Sequence, residues 1–451
     1  MLIIENILAF IIAISILVTV HEFGHYWVAR RLGVKILRFS VGFGYPLWSR
    51  CFGKDKTEFV IAAIPLGGYV KMLDEREEDV APEELDRAFN RQSLKVRSAI
   101  VFAGPLLNFI FAILAYTMMY MVGVTGMKAF VGDIEPQSVA EQAGFQSGYQ
   151  IVAVNGKPTL HWENIIQTTL EQLLADNDTV TYSILTEQNR QYDLKANLTG
   201  FTVDDVAGGK FFEKLGFKPY RPPPPAAIGK IIPDSPAQKA GLLAGDKIVA
   251  LDGQAVVDWN DWASYVQLHP EQKINVEVER DKQRLHLTLT PTEVEGKGRA
   301  GVYSSGSYIV PQKYQGIEQY GLGQALIEGT KKSWEISVLS LQVMAKMLTL
   351  QVSYEHISGP ITIAEFAGKT AQIGLSAFLS FLGLLSVSLG IINLLPIPLL
   401  DGGHLFFYLI EFIKGSPVNE NIEFFLQRIG LTLLVCLMGL AIFNDLERLF
   451  N

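Results

Sequence analysis

Residues 21–25 read HEFGH. On a helix, His21 and His25 stand four residues apart and share one face. That spacing lets two imidazoles hold one zinc ion. It also sets Glu22 beside the ion, where a carboxylate can take a proton from a metal-bound water. A pentapeptide of this form arises by chance in a chain of this composition about once in a hundred. The competing reading is a pair of surface histidines on a helix. The setting weakens it, because the motif ends an apolar run that starts at Leu2. Two imidazoles and a carboxylate inside a membrane span are costly without a partner.

Such a site needs a third protein ligand and one open position. In HExxHxxGxxH proteins the third ligand follows on the same helix, but here YWVARR follows His25. Another apolar segment carries a suitable acid: GIINLLPIPLLDGGHLFF. Pro396 and Pro398 interrupt its helix, and Asp401 comes next. Broken backbone at membrane depth is tolerated only where it is buried in protein or lines a wet cavity. Asp401 is therefore the expected third ligand; its alternative role is to cap the helix that follows. His404 is a rival ligand, or a group that orients the ligands from behind. Asn393 brings an amide into the same lipid-depth segment, where it must bond another helix or an exposed peptide.

The elements that position these residues follow from composition. The chain has 451 residues, 49% hydrophobic and only 19% charged, against about 25% charged in soluble domains. Four segments are long and apolar enough to cross a bilayer, roughly 2–25, 98–122, 375–396 and 425–443. A fifth, 333–352, carries Glu335 and Lys346 among helically spaced apolar residues. It reads as an amphipathic helix against the membrane surface or another domain. No Lys or Arg precedes Arg30, so the first run reads as a permanent span rather than a cleaved signal. A net charge of −8, with no dense basic tract, argues against nucleic acid as a partner. Cys51 and Cys436 lie in distant segments, and neither belongs to a CxxC pair.

Orientation follows from short-loop charge. Arg30, Arg31, Lys35, Arg38, Arg50 and Lys54 follow the first span, and Arg91, Lys95 and Arg97 precede the second. That side reads as cytoplasmic. Spans one and three then run inward, and HEFGH and LLDGG both fall at inner ends, at one depth.

Between the first two spans, VKILRFSVGFGYPLWSR and TEFVIAAIPLGGYVKML read as two to four short strands. The outer region contains a repeat. VGDIEPQSVAEQAGFQSGYQIVAVNGKP starts at Val131 and IGKIIPDSPAQKAGLLAGDKIVALDGQA at Ile228, an offset of 97 that also pairs Trp162 with Trp259. Each unit resembles a PDZ domain of the bacterial protease type, and Pro222–Pro225 reads as a stiff spacer between the two.

HEFGH in the first span, AGPLLNFIFA in the second, the tandem PDZ-like units and NLLPIPLLDGGH in the third resemble the site-2 protease family of intramembrane zinc metalloproteases. The resemblance covers essentially the whole chain. It implies an α-helical polytopic membrane protein of four transmembrane helices, with a small membrane-associated β-sheet and two α+β PDZ domains. The corresponding segments are 1–29 (first helix), 30–97 (membrane-reentrant β region), 98–122 (second helix), 126–221 and 222–295 (PDZ domains). They continue as 296–374 (membrane-surface helices), 375–405 (third helix) and 406–451 (short cytoplasmic loop and fourth helix).

The resemblance also implies one Zn2+ per chain on His21, His25 and Asp401, with Glu22 as catalytic base. Asn393 would bind substrate backbone near the scissile bond, and the β region around Gly42, Phe43, Gly44 and Tyr69 would hold the opened segment. Its implied substrates are membrane-spanning proteins in the bilayer: an anti-sigma factor already trimmed outside, and remnant signal peptides. The implied location is the bacterial inner membrane, with termini and PDZ domains periplasmic. Two other readings remain: a PDZ scaffold on a degenerate anchor, and an ion transporter. Filled catalytic positions weigh against the first, and the lack of repeated membrane halves weighs against the second.

Overall fold

The computed structural model describes residues 2–77, 79–305 and 310–450; residues 1, 78, 306–309 and 451, which fall in segments assigned above, lie outside the described residues. Four described helices are long and apolar enough to cross a membrane: Leu2–Arg31, Leu94–Val122, Leu375–Leu394 and Glu420–Phe450. They are called spans one to four below. With 30 residues, span one is about 45 Å long, against a hydrocarbon core of about 30 Å.

Span two is the hub, touching spans one and three and a later helix. Its buried face is built of small residues, among them Ala103, Gly104, Ala112 and Ala115. Backbones can then approach closely, the usual means of helix association in lipid. A side chain at Gly24 of span one would collide with the backbone of Ala103 and Gly104. One at Gly383 of span three would strike the Tyr116 ring.

The β region holds two strands, within the two to four expected but long rather than short: Ile36–Phe52 of 17 residues pairs with Thr57–Met72 of 16 as one hairpin. It folds back on itself, so Arg38–Val41 pairs both with 68–71 and with 58–61. Gly42 (φ 94°) and Gly44 (φ 85°) supply the left-handed backbone of the corner. Residues 68–72 have strand partners on one side only. The hairpin is anchored by Tyr26, Ala29, Ile36, Phe39 and Ile100. Its corner exposes Phe43, Tyr45, Leu47 and Trp48.

The repeat is equally visible in the fold. Strands Val131–Ile134 and Gln150–Val154 return as Ile228–Ile231 and Lys247–Leu251. The helices that follow begin at Trp162 and Trp259. Ser138 and Ser235 cap the short helices of the two units by accepting from the backbone N–H of Glu141 and Gln238. In each unit the first strand pairs with a late one, Phe217–Pro219 or Val302–Ser304. The second unit therefore closes at Ser304, past residue 295. The units differ before closure: the first inserts two short helices, Val203–Ala207 and Phe211–Leu215, where the second has a hairpin.

The amphipathic helix begins earlier than its apolar run, spanning Leu322–Leu348. Gly329 packs on Thr117 of span two. The other side holds the first repeat through Lys332–Gln167 at 2.6 Å, Glu335–Lys157 at 2.8 Å and Lys346–Asp176 at 2.7 Å. Residues 357–364, ISGPITIA, lead into the helix Pro360–Ile373. Its cap comes from span four: Asp445, 2% exposed, accepts from the N–H of Gly359 (2.9 Å), Ile361 (2.8 Å) and Thr362 (3.2 Å). It also accepts from the Thr362 hydroxyl at 2.6 Å. Asn444 donates to the carbonyls of Tyr354 and Ile357 nearby. Residues 401–414 form a further helix where the sequence suggested a loop past 405. Its Glu411 pairs with Arg97 of span two at 2.5 Å.

Two stability predictions follow from buried carboxylates. Asp445→Ala removes the cap of helix 360–373 and should cost about 0.5–2 kcal/mol, read as a lower Tm of the purified protein in detergent. In the second repeat, burial alone would raise the pKa of Asp246. Bonds from Arg280 and from the Leu243 N–H outweigh it and hold the carboxyl below its ordinary range. A carboxyl so lowered stabilises the fold above about pH 4, and that stability is lost as pH falls through the folded pKa. The protection factors of the Lys247–Leu251 amides, exchange rates corrected for the intrinsic pH dependence, should accordingly fall in acid, and Asp246→Asn should remove that fall.

Candidate active site

HEFGH lies toward the C-terminal end of span one, and the two imidazoles meet edge to face with centroids 4.8 Å apart. Their Nε2 atoms are 3.3 Å apart. Asp401 Oδ2 lies 3.2 Å from His21 Nε2 and 3.4 Å from His25 Nε2. A tetrahedral ion bonded at about 2.0 Å to each donor would set them about 3.3 Å apart. The observed triangle has those edges. Asp401 Oδ2 is buried and has no hydrogen-bond partner. Among the described residues these three form the one group able to hold a metal ion, and His404 is outside it. The donor set therefore fits zinc and leaves a fourth position open.

The delivery of Asp401 depends on broken backbone. Span three stops at Leu394, and Pro396 and Pro398 prevent its continuation. Leu399 turns the chain with φ 93°, a conformation that costs a non-glycine residue about 1–3 kcal/mol. The next helix starts at Asp401, with Leu400 at the N-cap and no side-chain capping bond. Asp401 is thus free to face the imidazoles rather than cap its own helix. Gly402 and Gly403 lie against the backbone of Leu394–Leu395 and Ile397–Pro398, where a side chain would collide. That contact tucks the helix start under the broken segment.

A cavity of about 370 Å3 opens on the three donors, lined also by Glu22, Gly68, Tyr69, Val70 and Asn393. The Val70 backbone N–H faces the Glu22 carboxylate, and Gly68 packs over its stem. The one-sided strand 68–72 thus forms one wall of the cavity. Gly42, Phe43 and Gly44 do not line it. They form the hairpin corner, and Phe43 reaches Tyr69 by stacking at 6.2 Å. Tyr69 accepts from Arg38 through its hydroxyl at 3.1 Å. A larger recess, about 580 Å3, lies between the C-terminal end of span two and the start of span three and contains none of these residues.

Behind the histidines runs a stripe of span two that sequence reasoning passed over. The Ile100 carbonyl accepts from His25 Nδ1 at 2.9 Å. Gly104 lies directly under both rings. Asn108, fully buried, touches His21 Nδ1 at 3.0 Å. The available signal was the spacing itself: 100, 104 and 108 share one helix face, and an asparagine in a lipid span needs a partner.

Peptidase family M50 matches residues 9–437. The chain belongs to that family. Regulator of sigma-E protease RseP of Escherichia coli K12 is 43% identical over 447 residues, 98% of this chain and 99% of the relative. Protease RseP of Yersinia pestis is 43% identical over the full length of both chains. A Vibrio cholerae relative with zinc metalloprotease in its name is 43% identical over 449 residues, 98% of this chain and 99% of its own. This M50 member is a zinc metallopeptidase of the site-2 type.

The M50 site has no room for a methyl group behind its ligands. A Cβ at Gly104 would overlap His25 Nε2 and Cε1 and crowd His21 Cε1. Gly104→Ala should lower zinc affinity by about 10–100-fold while leaving helix content unchanged, as checked by metal analysis and circular dichroism.

Proposed function

We propose that this protease cuts peptide bonds inside single-span transmembrane segments. One observation carries the reading: the metal triad and Glu22 lie toward the C-terminal ends of helices apolar enough to cross a membrane, in a cavity walled by a strand with one open edge. A substrate reaching this cavity from lipid arrives as a helix. Its backbone must open before it can be cut, and the free edge of 68–72 offers strand pairing to the opened segment. Asn393 supplies a further amide on the facing wall. The apolar corner at Phe43–Trp48 suits contact with the bilayer, which keeps the sheet at lipid depth.

His21, His25 and Asp401 would hold a zinc ion. When bound, zinc supplies Lewis acidity, acidifying a water toward pKa about 7 and polarising a carbonyl. Glu22 takes the proton of the attacking water and hands it to the leaving amine. The Val70 N–H keeps the Glu22 carboxylate turned toward the cavity. Asn393 and the strand edge hold the peptide on either side of the bond.

The repeats act as PDZ domains that screen substrates by size. In support, the first is clamped to helix 322–348 by three polar contacts rather than hung on a flexible arm. Basic residues around the inner ends of spans one and two orient the chain, with the site near the cytoplasm and termini and repeats in the periplasm. The location is the bacterial inner membrane. By analogy with relatives named for sigma-E regulation, the substrates are a trimmed membrane anti-sigma factor and remnant signal peptides.

The test co-expresses tagged single-span proteins with wild-type or Glu22→Gln enzyme and reads product masses. Glu22→Gln should keep its zinc and lose cleavage by about 10²–10⁴-fold. Full cleavage by the variant, or products cut outside the span, would refute the reading.

A further inference from the structure

The motif AGPLLNFIFA has so far only a packing role. Its Asn108 is fully buried in span two, and its amide nitrogen lies 3.0 Å from His21 Nδ1. Its Oδ1 is buried with no hydrogen-bond partner. As placed, Nδ2 donates to Nδ1, so the proton of a neutral His21 sits on Nε2. That is the nitrogen directed at Asp401 and His25. A protonated Nε2 cannot bind a metal.

Rotating the amide by half a turn exchanges O and N without moving any other atom, and heavy-atom positions do not distinguish the two. One end of the amide lacks a partner in either orientation, so the imidazole decides between them. With Oδ1 toward the ring, Nδ1–H donates to it and Nε2 keeps its lone pair for the ion. His25 already shows this arrangement, its Nδ1 facing the Ile100 carbonyl at 2.9 Å. The two histidines then have matching rear acceptors from one stripe of span two, a carbonyl at 100 and an amide oxygen at 108. Gly104 between them gives the rings their room.

We infer that Asn108 is a positioning residue for the metal centre: its side-chain oxygen accepts from His21 Nδ1–H and fixes the metal-binding tautomer. Ser386 supports it from span three, donating to the Asn108 backbone carbonyl at 2.8 Å. The inference rests on the zinc reading of the site, and its test reads metal binding rather than cleavage.

The experiment measures zinc affinity of the full-length detergent-purified protein by competition with a chromogenic chelator. Asn108→Leu and Asn108→Ala remove the acceptor and should weaken zinc about 10–100-fold. Asn108→Asp can only accept, so it should stay within a few-fold of wild type. Should Asn108→Leu fail to fold, the contrast between Asn108→Ala and Asn108→Asp carries the test. Unchanged affinity in the Ala variant overturns the inference, and so does an Asp variant as weak as Ala, since the amide would then be a donor or mere filler. If wild type binds no zinc, the metal reading of the triad fails first. If zinc binding is normal and span cleavage is absent, the proposed activity fails and the role of Asn108 stands.

Discussion

The membrane half of this protein is organised around one electrostatic requirement. A carboxylate from the first turn of helix 401–414 lies against two imidazoles from span one. In a low-dielectric setting none of these groups is stable alone. Together they form a group that could hold a cation, and an ion bound there would offset the cost of the broken backbone and of the left-handed Leu399.

Span two meets that requirement from behind. Its small residues bring span one close enough for the imidazoles to lie on its backbone, and its polar atoms orient both rings. Helix packing and ligand orientation are therefore one arrangement: the residues that allow the helices to touch are neighbours of the residues that fix the ring nitrogens. The β-hairpin closes the opposite wall through Gly68 and Val70. Glu22 thus sits between a strand and a helix, while both histidines sit between two helices.

Much of this was legible in the sequence, for physical reasons. HEFGH and LLDGG both stand at C-terminal ends of apolar runs, and the expectation that they meet agrees with Asp401 lying against His21 and His25. The offset of 97 survived because both repeats need the same caps and turns. Other features depend on partners far along the chain. The cap of helix 360–373 is Asp445, 86 residues from Gly359, and nothing local in ISGPITIA announces it. The first turns of helix 322–348 carry LGQALIEGTKK, too mixed in polarity to read as a helix without the surfaces it bridges. Gly402-Gly403 looks like a turn, yet it serves close approach at the start of helix 401–414. Asn108 shows only as a polar residue in lipid until the ring it touches is known.

The left-handed turn at Leu399 has a bearing on how the fold would respond to metal. A ligand that binds only the folded arrangement stabilises it by mass action. An ion on the triad would therefore offset the cost of that turn, and the order of the segment between span three and helix 401–414 would depend on the free metal concentration around the protein.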